Sequence, residues 1–444
     1  NSAGVDTSDH EVNIKILLAT APTVLPDRER QELLASMTDE VASLVLSHNF
    51  DQNLALANAL YRSSRLAGQH EEWMRALEAD GLLDRHLESL PSSDEMAARI
   101  AAGGGLTRPE LAVLLSYTKI ALKRWVLESD LPEDPYLADR LIQYFPEPLR
   151  RRYAAVMPAH PLARQIITTV AVNRFVNSQG ITAHHRLTTE TGAGVADVIR
   201  AQLASRAIFN VGLDEVRLRR ADGLTAEVGT ELRVVLLRMV ERATRWLLHR
   251  NRGSLDIVST IQQYQPAVAA LRPQLSELLT GADREAARRK AAAWLAAGVP
   301  QELADTLGSA GQAHTLLSVV QVAARLGRDP LQIARLHFAV ADAFGLDLLF
   351  GGVDQLPRQV RWDAMARAAL RDELLAAHAT LTEQLAAQLD PAVPAGEALA
   401  GWLARTPQAA AQVALIRQVA EGTPDVARMN VGLGQVRSLL TECR

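Results

Sequence analysis

The 444-residue chain predicts an all-α fold. Three observations lead there. Hydrophobic residues are 48% of the chain, largely Ala, Leu and Val, while aromatics are 4%. Leu and Ala favour helix, whereas strands favour aromatic and β-branched side chains. Apolar residues recur at three- and four-residue spacing over most of the length. Finally, no alternating run with hairpin signals exceeds a few residues, and no fixed-period repeat is visible.

The elements follow in order. Residues Asn1 to Asp6 read as a turn entering a helix. Ser8 reads as its N-cap, with Glu11 at capping-box spacing. That helix carries Val12, Ile14, Ile16, Leu17 and Leu18 and ends before Pro22. The spacing of Leu33, Leu34, Met37, Val41, Leu44 and Val45 predicts one helix from about Asp27 to His48. After Gly103-Gly104-Gly105, Thr107 can cap, Pro109 sits in the first turn and Glu110 closes a capping box. Leu111, Leu114, Leu115, Leu122, Trp125 and Val126 then form one apolar stripe. Lys119, Lys123 and Arg124 load the far end with the charge the helix dipole favours.

Prolines punctuate short helices between 130 and 160. Longer helices follow from about Leu162 to Asn177 and from near Thr191 to Phe209. The strongest pattern runs from Thr225 to His249, where Leu232, Val235, Leu236, Met239, Val240, Ala243, Trp246 and Leu247 make a core-facing stripe. Beyond about 265 the chain is Ala/Leu/Arg-rich helix after helix, broken at Gly and Pro.

Lys+Arg 47 against Asp+Glu 51 gives a net charge of −4, without the basic excess of a nucleic-acid or membrane-surface specialist. Lysine occurs only at 15, 119, 123 and 290. The one cysteine, Cys443, can form no internal disulfide, which fits a reducing compartment. No apolar run approaches the ~20 residues of a membrane span.

Few constellations suggest chemistry. Gly192-Ala193-Gly194 and Gly432-Leu433-Gly434 open like a dinucleotide fingerprint, but Asp197 and Arg437 replace the third glycine. They read as helix-start and helix-break glycines. His184-His185 lacks the cluster a metal needs, because adjacent residues point apart. Arg150-Arg151-Arg152, Arg217 with Arg219-Arg220, and Arg288-Arg289-Lys290 read as solvated or ion-paired faces. The first eleven residues are the most informative, since backbone amides and a hydroxyl at a helix start suit a carboxylate. An ordinary capped turn explains the same residues.

The opening run Asn1-Ser2-Ala3-Gly4-Val5-Asp6-Thr7-Ser8-Asp9-His10-Glu11 resembles the end of the catalytic region of the large bacterial NAD-specific glutamate dehydrogenases. The resemblance continues through Met37-Thr38-Asp39-Glu40-Val41, Leu106 to Leu115, His160 to Asn177, Glu190 to Ala193 and Ala196-Asp197-Val198. It implies a multi-helix C-terminal domain preceded by the closing helices of a Rossmann-type dehydrogenase domain. Residues 1–65 would end the catalytic domain. Residues 66–444 would form the all-helical domain, with a candidate division into two lobes near Gly253 or Gly281.

The resemblance further implies oxidative deamination of L-glutamate to 2-oxoglutarate and ammonia, with NAD as cofactor, and a homo-oligomer is expected. The charge balance, the lone cysteine and the lack of a long apolar run predict a cytoplasmic protein with no nucleic-acid or membrane partner. Carried over residue by residue, Asn1 lies near the nicotinamide end of the cofactor, while Val5 and Ser8 line the glutamate pocket. The family's lysines, its catalytic Asp and its Gly-rich nucleotide loop would lie upstream of Asn1. No catalytic residue and no metal ligand is assigned in this chain, and alone it is expected to be inactive. The alternative is a helical oligomerisation or regulatory module without catalytic activity of its own.

Overall fold

The computed structural model describes residues 3–22, 25–251, 253–357 and 361–443. All regular secondary structure among them is helical. The chain folds as two compact units, Asn1–Arg200 and Ala201–Arg444.

The first unit contains α1 (Ala3–Thr20), α2 (Asp27–Ser36), α3 (Thr38–Tyr61), α4 (Ala67–Ala79), α5 (Ser93–Ala101), α6 (Arg108–Leu127), α7 (Ala138–Tyr144), α8 (Glu147–Tyr153), α9 (Ala163–Gln179) and α10 (Ala183–Thr191). The next helix, α11 (Val195–Ile208), begins in this unit and ends in the second. Helix α6 is the spine. Its buried stripe of Leu111, Leu114, Leu115, Leu122 and Val126 packs on α9, whose Ile166, Val172, Phe175 and Val176 are also buried. At its start the Glu110 carboxylate reaches back to the Thr107 N–H at 2.7 Å, as the sequence predicts. It also accepts a two-pronged ion pair from Arg99 at 2.8 and 2.9 Å. Helix α3 packs on α6, and α1 on α3. Trp73 of α4 donates its indole N–H to Thr118 Oγ1 at 2.8 Å and meets the His184 ring edge-on at 4.4 Å.

Two boundaries differ from the sequence reading. The helix expected from Asp27 to His48 breaks at Met37. Helix α2 buries none of its residues, yet Met37 is 1% exposed. A tight turn, with the Met37 N–H on Leu34 O at 3.2 Å, drops that side chain into the core before α3 restarts the helix. Thr191 does not start a helix but ends α10. Gly192 takes up a left-handed conformation, φ +72°, and α11 begins three residues later.

The second unit contains α12 (Val211–Arg220), α13 (Ala226–Arg250), α14 (Ile257–Leu271), α15 (Leu275–Leu278), α16 (Gly281–Ala296), α17 (Gln301–Gly308), α18 (Ala310–Ala313), α19 (Leu316–Leu326), α20 (Pro330–Phe344), α21 (Leu346–Gln355), α22 (Arg361–Gln388), α23 (Ala395–Arg405), α24 (Pro407–Ala420) and α25 (Val426–Glu442). Thr225 caps α13, accepting the Val228 N–H at 3.2 Å, and the predicted stripe is buried except at Val235, which is half-buried. Asp354 of α21 ties three elements together by pairing with Arg242 of α13 and with Arg367 and Arg371 of α22. Helix α25 approaches α21 and α24 so closely that a Cβ on Gly432 would lie 2.8 Å from Leu349 and 3.2 Å from Val419. A Cβ on Gly434 would meet nothing within 4 Å. Cys443, just past α25, is 1% exposed, and burial pushes its thiol up to about 11.

Among the described residues no single helix is long and apolar enough to cross a membrane. Helices α20 and α21 together have the length and composition, but they meet at a 73° bend and bury most of their apolar side chains.

Candidate functional site

The residues singled out near the start of the chain fall on one helix. Asn1 lies outside the described residues. Val5 and Ser8 are in α1, and the helix is already formed at Ala3, so Ser8 sits in its second turn and is not the N-cap. The sequence reading placed the helix start too late because Ser8 and Glu11 mimic a capping box. Asp6, in the first turn, supplies the negative charge the N-terminus favours.

Val5, Ser8 and Val12, at i, i+3 and i+7, share one face of α1 and point outward. Val5 is 64% exposed and Val12 52%, and Ser8 is exposed too. The opposite face carries Asn13, Ile14 and Leu17, all buried. The outer face of α1 thus sets Val5 and Val12 beside polar groups, the Ser8 hydroxyl and the exposed Glu11–Lys15 ion pair, and its inner face is partly polar.

Polar groups grip that inner side from elsewhere in the chain. Asp6 Oδ2 lies 2.8 Å from His48 Nδ1 of α3. The Tyr144 hydroxyl at the end of α7 donates to Asp9 Oδ2 at 2.8 Å and accepts from Asn13 Nδ2 at 2.9 Å. Asn13 Nδ2 also donates to Asp9 O at 2.9 Å. His160 Nε2 lies 3.0 Å from Asn13 O, and His160 Nδ1 accepts the Leu162 N–H at 3.0 Å. An Nδ1 that accepts carries a lone pair, which puts the ring proton on Nε2, facing the carbonyl. The His10 ring stacks on Tyr144 with centroids 4.5 Å apart.

The electrostatics reflect this partial burial. Burial pulls His10 below its ordinary range, against the opposing pull of Asp9 and Asp6. Tyr144 is raised, by burial first and then by Asp9. Lys119 of α6 is 8% exposed, and its amine has no hydrogen-bond partner. Burial pushes it down to about 8, with Lys123 adding to the fall while Asp6 and Asp51 oppose it. Lys123 is lowered by burial as well, with Asp9 and Asp6 opposing.

Sequence reasoning took Lys119, Lys123 and Arg124 as charges loading the dipole end of α6; only Arg124 falls in the last turn, and Lys119 is buried in mid-helix. The signal was available. Lys119 stands four residues after Leu115 and three before Leu122, in register with the apolar stripe. The network through Tyr144 and His160 gave no local signal, because its partners are 131 to 147 residues apart.

The other sequence candidates are structural. Gly192 ends α10, and Gly432 is a close-packing residue inside α25, so neither glycine pair forms a phosphate loop. His184 is buried beside Trp73, and burial drives it down to about 3. No group of three His, Cys, Asp or Glu among the described residues could hold a metal. Arg150, Arg151 and Arg152 pair with Glu40, Glu147 and Glu29 on the surface.

The chain matches two family models. One, glutamate dehydrogenase, C-terminal, covers residues 103–438. The other, bacterial NAD-glutamate dehydrogenase, catalytic domain, covers residues 1–59, the segment of α1, α2 and most of α3. The NAD-specific glutamate dehydrogenase of Mycobacterium tuberculosis is 38% identical over 444 residues, covering 99% of this chain and 27% of that protein. That of Pseudomonas aeruginosa is 38% identical over 380 residues, covering 84% and 23%. That of Halomonas elongata is 35% identical over 377 residues, again covering 84% and 23%. The chain thus spans about a quarter of the length of these relatives.

Proposed function

The chain belongs to the bacterial NAD-specific glutamate dehydrogenase family, and we propose that it is the C-terminal part of an enzyme that oxidatively deaminates L-glutamate to 2-oxoglutarate and ammonia, passing hydride to NAD. Residues 1–65 close the catalytic, Rossmann-type domain, and residues 66–444 form its helical domain. The match of residues 1–59 to the catalytic-domain model and of 103–438 to the C-terminal model supports that division.

One observation carries the local reading: α1 exposes Val5 and Ser8 on a single face while its other face is anchored. In an otherwise polar setting, an exposed Val one turn from a hydroxyl matches a substrate with a methylene stem and a carboxylate. Val5 packs on the methylenes, and the Ser8 hydroxyl donates to the side-chain carboxylate. A charge-assisted hydrogen bond of this kind contributes about 1.5–3 kcal/mol. By the same resemblance Asn1, outside the described residues, is assigned to the nicotinamide end of the cofactor.

The described residues do not form a cradle for NAD itself. Neither glycine pair offers the strand–turn–helix that a pyrophosphate needs, so on this reading the cofactor is gripped by another part of the longer protein. No step of hydride transfer is assigned to this chain, and alone it is expected to reduce no NAD. The same reading places the enzyme in the cytoplasm, away from nucleic acid and membrane.

The experiment is Ser8→Ala in the full-length enzyme. Glutamate KM should rise by about tenfold or more, at 1.4 kcal/mol per decade, with NAD KM unmoved. Unchanged glutamate kinetics, or dehydrogenase activity in the purified chain alone, would count against the reading.

We also propose that the enzyme is a homo-oligomer. Helix α3 exposes Leu46, Phe50, Leu60 and Tyr61, apolar surface of the kind that contacts other protein.

A further inference from the structure

We propose that Tyr144 and His160 are positioning residues for substrate binding, setting the rotation and height of α1 so that Ser8 and Val5 face the glutamate. This rests on the reading of α1 given above. The apolar contacts of Ile14 and Leu17 bury α1 but are non-directional, and they tolerate a small rotation or slide of the helix. The hydrogen bonds at Asp9 and Asn13 are directional. The Tyr144 hydroxyl has one proton, which goes to Asp9 Oδ2, and its lone pair takes the Asn13 amide. His160 grips the main chain of the same residue, Asn13 O, with its own proton fixed on Nε2 by the Leu162 N–H. One residue of α1 is thus held by both side chain and backbone, from two different segments.

Successive helix residues are about 100° apart, so a fraction of a residue's rotation swings Ser8 away from a carboxylate. A displacement near 1 Å is enough to cost about a hundredfold where groups must be aligned. Both gripping residues lie in the segment covered by the C-terminal family model, and the helix they hold lies in the catalytic-domain match. The helical domain therefore contributes to substrate affinity without touching substrate.

The test is a double-mutant cycle in the full-length enzyme, with Tyr144→Phe, Ser8→Ala and both together. Tyr144→Phe should raise glutamate KM three- to tenfold, change kcat less and leave NAD KM unmoved. In the Ser8→Ala background it should add little, because the group it positions is gone. His160→Ala should reproduce the KM shift, and His160→Gln, which restores a donor to Asn13 O, should recover most of it. These histidine variants decide the matter if Tyr144→Phe fails to fold. If Ser8→Ala raises KM but Tyr144→Phe and His160→Ala do not, or if their effects simply multiply, the positioning role is overturned while the substrate face stands. If Ser8→Ala itself leaves KM unchanged, the substrate face fails and the positioning role falls with it.

Discussion

Replacing Lys119 with Met gives a direct measure of what a buried charge costs this fold. The side chain is 8% exposed, its amine has no hydrogen-bond partner, and burial pushes it from 10.5 down to about 8. At about 1.4 kcal/mol per tenfold change in proton affinity, that fall is worth roughly 3 kcal/mol. Between pH about 8 and 10.5 the unfolded chain holds a proton that the folded chain has released, so stability rises with pH across that window. Below pH 8 both states are protonated, and the penalty is present in full. Met has a similar volume and no charge, so Lys119→Met should stabilise the protein at pH 7 and lose that advantage as the pH approaches 10.5. The first unit has about 200 residues, for which each kcal/mol moves Tm by about 2–4 °C. The gain at pH 7 should therefore be about 6 °C or more, shrinking toward zero at high pH. Thermal melts of both proteins at pH 7 and pH 10, compared with each other, cancel the titration of every other group. An equal effect of the substitution at both pH values would refute the reasoning, because it would mean that the amine is hydrated in the folded state.

Two further outcomes are expected. Gly432→Ala and Gly434→Ala, two residues apart, should move stability in opposite directions. The first drives a Cβ to 2.8 Å from Leu349, itself fully buried, and overpacking of that kind costs about 1–3 kcal/mol against about 1 kcal/mol gained in helix propensity. The second meets nothing and should gain about 0.5–1 kcal/mol, so thermal melts that shift the same way for both would contradict the packing described for α25. Light scattering on the chain at micromolar concentration should give a mass above its 48.3 kDa monomer if the exposed face of α3 drives assembly, and a monomer would count against that role.

Helices were legible wherever a local signal marked them. Thr107 with Glu110 and Thr225 with its apolar stripe located two starts, because capping and periodicity act within one or two turns. The break at Met37 was hidden because its local pattern suits a continuous helix. Only the competition for a core position, a tertiary effect, bends the chain there. Ser8 misled for the opposite reason, since a capping-box spacing can occur inside a helix. At the candidate site, Val5 and Ser8 came from resemblance, and their shared outer face is what the structure adds. Tyr144 and His160 could not be read from sequence at all, because long-range hydrogen bonds leave no periodic trace.

The single thiol offers a way to watch this molecule move. With Cys443 buried and its ionisation pushed up to about 11, the folded protein presents almost no thiolate at neutral pH. An alkylating reagent can then react only in the moments when the end of α25 comes away from its neighbours. Because the chain has one cysteine, every labelled molecule reports that one event. The labelling rate is a clock for local opening of the last helix, readable by mass spectrometry without adding any probe to the protein.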